Sequence, residues 1–384
     1  MTHPIPTVLF HGLGCDSSSI LVELIYNPTR RKELNIDLER LVVATAQTGL
    51  ESKLIKRQNE KFIYPLLKKH NVRVIQIAKA GLYTKDGYEV LSDGVPEICY
   101  IEGAYTLADE LLTTGTVPNY SKGKRRCSDK YKAKILRAWT QAEYGNRPIQ
   151  TVFGYNADEQ YRIQRAEPYI EANHHVIYPL MMWGWHRNYI EQYMAEFAGE
   201  RFYRSACTIC PFAKISGSKQ EILLKYQAYP EEAAEAALIE YTARCLNPRQ
   251  SLYPNGRTVE QFLENNGLTI ALSLFEEKLA SCRWGVYRVR RIYKKIAYRA
   301  IECVMKGTRS QCNNNLFKKA QDFNIPLINE GGIDRLYLER KEDGFRCEEY
   351  FVVCPNVVDD KQRKSFENQW CLSHIPNLFE LKSA

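Results

Sequence analysis

The sequence predicts an α/β fold: a doubly wound, mostly parallel sheet over residues 1–195, followed by a mixed, mainly helical domain over residues 196–384. Three observations lead there. Short apolar runs alternate with amphipathic stretches through the first half of the chain. A glycine turn joins the first apolar run to the first amphipathic stretch. Beyond about residue 195 the alternation gives way to long segments rich in Ala, Leu, Glu, Lys and Arg. Strands that alternate with helices form right-handed βαβ units, which build a parallel sheet covered on both faces.

Residues 6–10 (PTVLF) make a short strand that stops at glycines. Ile20, Leu21, Leu24 and Ile25 share one face of a helix over 17–27, opened by Ser17 to Ser19. Residues 41–46 (LVVATA) and 72–77 (VRVIQI) are strands, with a helix over 51–69 between them. The segment 83–123, with its Gly, Pro and Thr residues, reads as a loop over the site. A helix over 129–143 and strands at 149–153 (IQTVF) and 176–180 (VIYPL) follow. In the second half, 216–246 and 258–305 read as helices, and 334–354 holds two short strand-like pieces, LYLER and YFVVC.

A chain of 384 residues suits two domains. Its 45% hydrophobic and 26% charged content is the balance of a soluble globular protein with a core of useful size. The net charge of +8 suits a partner carrying phosphates. No apolar run approaches the ~20 residues of a membrane span. The start, MTHPIPTVLFHG, has no basic region ahead of its short apolar stretch, so a cytoplasmic location is expected. In that compartment the 12 cysteines stay reduced and serve as fillers, metal ligands or redox groups.

The strongest local signal is the run from Phe10 to Ser19, FHGLGCDSSS. A strand enters a glycine turn and leaves as a helix opened by hydroxyl residues. Glycines let backbone approach an anion, and the first helical turn points N–H groups and a positive dipole end at it. Gly12, Gly14, Ser17 and Ser18 are therefore candidate phosphate contacts. Asp16 beside a phosphate calls for a cation, and Mg²⁺ would supply it. The competing reading is a plain strand-to-helix turn capped by Asp16 or Ser17.

This loop resembles the S-G-G-x-D-S loop of PP-loop ATP pyrophosphatases and phosphoadenosine-phosphosulfate reductases. Gly14, Asp16 and Ser17 match; Gly12 and Leu13 stand where a serine and a glycine are expected. Further segments match in order. Thr48-Gly49-Leu50-Glu51 resembles the T-G-x-E element. Arg126-Cys127-Ser128-Asp129-Lys130, then Lys132 and Lys134, resembles the cysteine-and-lysine element. Gly154 to Gln160, with Glu159 and then Arg162 and Arg165, resembles G-x-R-x-x-E with a trailing arginine, although Asn156 replaces the first arginine. Tyr178-Pro179-Leu180 with Trp183 resembles Y-P-L-x-x-W, and Cys207-Thr208-Ile209-Cys210-Pro211 resembles C-x-x-C-P. The resemblance covers residues 8–212. It implies a Rossmann-like sheet of the adenine nucleotide alpha hydrolase type, with ATP or a related adenine nucleotide held by the loop, Thr48, Gly49, Glu51, Gly154, Glu159, Arg162 and Arg165. Asp16, Ser17, Cys127 and Lys130 are the expected catalytic residues.

The C-x-x-C spacing lets two thiolates reach one metal or act as a redox dithiol. The resemblance points to a [4Fe–4S] cluster on Cys127, Cys207 and Cys210, with Cys245 or Cys282 as the fourth ligand; zinc on the same ligands is the lesser alternative. His174, His175 and His186 are expected to pack. The basic cluster from Lys122 to Lys134 reads as an anion site. Segment 283–299, RWGVYRVRRIYKKIAYR, reads either as a DNA- or RNA-binding stripe or as an amphipathic helix with a solvated basic face.

Three activities follow from these readings. In the first, ATP adenylates a substrate, and sulfur or nitrogen from a donor protein then replaces the activated oxygen, as in a sulfurtransferase acting on nucleic acid. In the second, an oxidoreductase cleaves phosphoadenosine phosphosulfate or adenylyl sulfate with a C-terminal cysteine. That motif is E-C-G-[LI]-H, whereas this chain reads Trp370-Cys371-Leu372-Ser373-His374, without the glutamate and glycine. In the third, the loop has degenerated and the protein only binds nucleotide or nucleic acid.

Overall fold

The computed structural model describes residues 5–118, 126–166, 172–211, 219–253, 256–293, 298–343 and 346–374. The chain divides into two compact units, Met1–Glu110 with Pro118–Glu232, and Leu111–Val117 with Ala233–Ala384.

The first unit is built on β1 (Thr7–Phe10), β2 (Leu41–Gln47), β3 (Arg73–Lys79), β4 (Tyr88–Gly94), β5 (Ile149–Phe153) and β6 (His174–Ile177). They form one sheet in the order β4-β3-β2-β1-β5-β6. All neighbours are parallel except β3 and β4. β2, with the sequence LVVATAQ, is buried along its whole length, as a central strand covered on both faces must be. Leu9, Val43, Val74 and Val152 pack on one face with Ile20, Leu21 and Leu24 of α1 (Cys15–Tyr26). The alternate residues Val8, Val42, Ile75 and Ile149 pack on the other with Ile135 and Trp139 of the helix Lys134–Tyr144. The chain runs outward from β1 in both directions, so a crevice opens at the carboxyl ends of β1 and β5, where Phe10 and Phe153 are in register.

Segment 83–123 differs from the loop expected of it. It contains the edge strand β4 and the helix Leu107–Thr114. β4 is half exposed and antiparallel, so its sequence, YEVLSDG, carries little apolar signal. The strand expected over 176–180 stops at Ile177, because Pro179 opens the short helix Pro179–Met182. The first unit also extends to Glu232, past the boundary at 195 read from the sequence. Segment 200–208 is tied to the first unit by backbone: Cys15 N–H donates to Tyr203 O (3.2 Å), and Thr208 N–H to Leu50 O (3.1 Å). The C-x-x-C therefore belongs to the first unit and does not open the second one.

The second unit is mixed, with strands at LYLER and YFVVC as expected, but it holds more sheet than the expected mainly helical domain. It holds a five-stranded antiparallel sheet of β7 (Trp284–Ile292), β8 (Tyr298–Gly307), β9 (Ile328–Glu330), β10 (Ile333–Glu339) and β11 (Cys347–Pro355), in the order β8-β7-β11-β10-β9. The helix expected over 258–305 ends at Ser281. From Trp284 the chain is a strand, rich in the β-branched and aromatic residues that suit a pleated surface. Its arginines imitate a helix's polar face in sequence, but Arg290 and Arg291 are buried and Arg288 is half-buried. Arg288 pairs with Glu349, Arg290 with Glu367, and Arg291 with the Leu246 carbonyl, while Trp284 and Tyr287 are buried. The described part of 283–299 is therefore neither an amphipathic helix nor an open basic-aromatic stripe. Among the described residues, no helix is long and apolar enough to cross a membrane.

Arg335 of β10 is fully buried and donates to the Arg244 carbonyl, to Ile333 O (3.3 Å) and to Glu330 Oε2 (3.3 Å). Removing the guanidinium strands these acceptors. Arg335→Ala is expected to destabilise the second unit by on the order of 3 kcal/mol. Urea unfolding checks this; an unchanged midpoint would mean that water replaces the arginine without loss.

Candidate functional site

The loop leaving β1 is shaped by backbone demands that the sequence shows only in part. Leu13 adopts φ 67°, a left-handed conformation that costs a residue with a Cβ about 1 kcal/mol or more. This is the position where the resembled loop carries glycine. Here a buried leucine side chain offsets the strain. Gly14 is required for a different reason from the one expected. A Cβ on it would lie 2.4 Å from Ser205 N and 2.9 Å from Ser205 Cβ. Its missing side chain admits segment 203–205 onto the loop.

Ser17 braces the loop from inside. Asn59 Nδ2 donates to Leu13 O (2.9 Å) and Ile55 O (2.9 Å), which leaves Asn59 Oδ1 as the acceptor facing His11 Nε2 at 2.9 Å. His11 thus carries its proton on Nε2, and Nδ1 accepts from the Ser17 hydroxyl at 2.9 Å. Ser17 Oγ in turn accepts from Gly12 N–H at 3.1 Å. Ser18, a candidate nucleotide contact, is fully buried and does not line the cavity described below.

Asp16 has both oxygens engaged. Arg187, at the start of the helix Arg187–Ala198, donates to Oδ2 at 2.7 Å, and Asn156 Nδ2 donates to Oδ1 at 3.1 Å. A cation of the chain itself, Arg187, thus faces Asp16. Arg187 was missed because it lies 171 residues from Asp16 and belongs to no local pattern.

These groups border a cavity of about 490 Å³ at the crevice of the first sheet. Gly12, Gly14, Asp16, Ser17, Thr48, Gly154, Glu159 and Arg162 all line it, as do Cys127, Cys207 and Cys210. Lys132, Arg137, Arg162, Arg187 and Arg204 contribute five cations against the carboxylates of Asp16 and Glu159, so the lining favours an anion. Phe10, Leu136, Phe153 and Val176 supply an apolar end, where the rings of Phe10 and Phe153 meet edge to face at 5.2 Å.

Several candidate residues act at one remove. The buried Glu51 carboxylate accepts from Thr48 N–H (2.9 Å), Thr48 Oγ1–H (2.9 Å) and Gly49 N–H (3.1 Å), closing the Thr48-to-Glu51 turn. Gly49 sits at φ 82°, and a Cβ there would meet Thr106 at 2.4 Å. Glu51 also holds Lys132 at 3.1 Å. Lys130, the expected catalytic lysine, instead pairs with Glu110 at 2.6 Å and does not line the cavity; Lys132 does. Glu159 holds Arg162 Nη1 with both oxygens at 2.9 Å, and the guanidinium lies 4.0 Å from the Tyr155 ring centre. His174 lines the cavity and meets Thr151 Oγ1 at 3.2 Å, while His186 pairs with Asp158 at 2.7 Å. The side chain of Arg165 and residues Lys122, Lys124 and Arg125 lie outside the described residues.

The thiols divide into two sets. Cys207 and Cys210 share a tight turn, with Cys210 N–H donating to Cys207 O at 3.0 Å. Burial pushes the Cys207 thiol up to about 12; the Glu51 carboxylate adds to this and the Lys132 ammonium opposes it. Burial also raises Cys127, with Cys210 adding to it. Cys245 and Cys282 belong to the second unit, where Cys245 is fully buried in the hydrophobic core beside Cys354. The cavity is thus lined by three of the five candidate ligands. In this structure the three sulfur atoms are not all within 4.8 Å of one another.

No family model matches this chain, no curated protein matches it, and no solved structure matches it.

Burial lowers the His11 imidazole to about 4, against the Asn59 hydrogen bond, which favours the charged ring. The unfolded chain takes up this proton near pH 6.5, well before the folded one. Stability is therefore full above about pH 6.5 and falls as the pH drops towards about 4. Between about pH 7 and pH 5 the loss expected from His11 is about 2 kcal/mol. Urea titrations of the wild type and His11→Gln measure it: the variant's profile should be flatter, and equal losses in the two proteins would remove His11 as the cause.

Proposed function

We propose that this chain is a PP-loop enzyme that binds ATP or a related adenine nucleotide and adenylates a substrate for sulfur transfer. One observation carries the reading: a single cavity joins the glycine loop, a cluster of cations and three thiols. The parallel run β3-β2-β1-β5-β6, with helices on both faces, supports a sheet of the adenine nucleotide alpha hydrolase type.

The apolar end, between Phe10, Phe153, Leu136 and Val176, suits a purine, and the cationic lining suits its phosphates. A substrate oxygen attacks the α-phosphorus, the bond from that phosphorus to the bridging oxygen breaks, and pyrophosphate leaves with the electron pair. Arg162, Arg187 and Lys132 stabilise the charge that develops on the phosphate oxygens. Each is held in place by an acid, Glu159, Asp16 and Glu51 respectively, so little reorganisation is needed. Mg²⁺ bound to the nucleotide phosphates would add to this charge stabilisation. A sulfur nucleophile then displaces AMP from the activated carbon.

Three thiols that line one cavity without all lying within 4.8 Å of one another suit a polynuclear iron–sulfur cluster better than one zinc ion. Cys127, Cys207 and Cys210 would hold such a cluster, which would supply a binding place for sulfur beside the loop. Thr48 Oγ1, 3.4 Å from Cys207 Sγ, positions that thiol. The net charge of +8 favours a phosphate-bearing acceptor, such as a nucleic acid, though the arginines of β7 are already engaged within their own sheet.

Pyrophosphate release from ATP with RNA or DNA present is the deciding assay. Arg187→Ala is expected to lower kcat/KM by about 10²–10³-fold, with circular dichroism showing a retained fold. Cys371→Ser, a change on an exposed helix of the second unit, is expected to leave turnover unchanged. Sulfite release from phosphoadenosine phosphosulfate that disappears in Cys371→Ser would make the chain a reductase. Nucleotide binding without either product would make it a binding protein.

A further inference from the structure

A second cluster of ligating groups lies in the second unit and plays no part in the activity proposed above. Glu339 ends β10, Cys347 opens β11, and His374 follows the helix Phe366–Ser373. One ligand atom from each of the three lies within 4.8 Å of the others.

Proton accounting shows that this cluster is incomplete. His374 Nδ1 is 2.8 Å from the Trp370 carbonyl oxygen, which can only accept, so Nδ1 carries a hydrogen. His374 Nε2 is 2.7 Å from Glu339 Oε1, which as a carboxylate oxygen also accepts. A neutral imidazole has one N–H, and it is spent on Trp370. A positive centre must therefore stand between Nε2 and the carboxylate, either a second proton or a metal ion. Two features favour the metal. A proton would serve only one carboxylate oxygen, and Glu339 Oε2 is buried with no hydrogen-bond partner. The thiol of Cys347, buried and 2.8 Å from Ser373 Oγ, completes a donor set of sulfur, nitrogen and oxygen. That mixture suits a borderline-soft ion, and a backbone carbonyl fixing the outer ring nitrogen is the usual support of a metal-bound histidine.

We propose that Glu339, Cys347 and His374 bind one Zn²⁺ ion that fastens the helix Phe366–Ser373 to β10 and β11. With bonds of 2.0–2.1 Å in a tetrahedral site, the histidine and carboxylate ligands stand about 3.3 Å apart. The side chains therefore need to separate by only a few tenths of an ångström. A fourth position remains for water. The ion adds to a small apolar contact, in which Phe366 packs with Ile292, Ala300 and Cys347.

Cobalt titration and metal analysis of the full chain test this directly. The wild type is expected to take up Co²⁺ with a thiolate-to-cobalt charge-transfer band, and to retain one zinc in this site after dialysis. His374→Gln changes a partly exposed residue and should keep the fold; it is expected to lose the zinc and weaken the band. Cys347→Ser should lose the band attributable to this site. Cys207→Ser should retain both, which separates this ion from any metal at the first-unit thiols. Chelation should lower the unfolding midpoint of the wild type but not that of His374→Gln. Zinc content and chelator sensitivity unchanged in His374→Gln, or no zinc uptake by the wild type, would leave a protonated histidine paired with Glu339 and overturn the proposal.

Discussion

The cavity of the first unit depends on the contact between the backbone at Ser205 and the bare face of Gly14. The approach, 2.4 Å from the position a Cβ would take, is possible only for glycine. It lays segment 203–208 across the carboxyl end of the sheet, pinned by the Cys15–Tyr203 and Thr208–Leu50 backbone hydrogen bonds. The C-x-x-C turn follows directly, so its thiols face the same space as the loop.

The cations around that space are arranged at a cost and for a purpose. Arg162, Arg187, Arg204 and Lys132 are each matched to an acid, Glu159, Asp16, Glu191 and Glu51. Partly buried pairs of this kind add little net stability, since desolvation offsets most of the attraction. What they provide is geometry: charged groups already oriented before an anion arrives. Glu51 joins the two halves of the lining, because the same carboxylate closes the turn after β2 and anchors the lysine beside Cys207.

The second unit uses arginine as structural material. Arg290, Arg291 and Arg335 are nearly or wholly buried, and terminal nitrogens of each end on a carbonyl or carboxylate of a neighbouring element. A cation inside an antiparallel sheet specifies register, since a slip of one residue would strand the charge on the wrong face. In sequence the same arginines resemble a nucleic-acid stripe. Composition reports which side chains a segment carries, and only packing determines what those side chains face.

Short-range order was legible in the sequence. The strands β1, β2, β3 and β5 are continuous apolar runs because they are buried on both faces, and α1 shows a 3.6-residue stripe because one face meets the sheet. The motifs at the ends of those strands were legible too, since a crevice at the carboxyl end of a parallel sheet collects the residues that follow each strand. Other features were not. β4 is an edge strand with one poor apolar face, and β7 hides its strand pattern under arginines. Within the site, the sequence indicated Asp16 but not Arg187, and Cys207 with Cys210 but not the separation of Cys245 into another core. Local periodicity and turn chemistry follow from neighbours a few residues apart, and so are determined by the sequence alone. The partners of a buried charge or thiol are chosen by close packing between distant segments, 171 residues apart for Asp16 and Arg187, which only the tertiary structure decides.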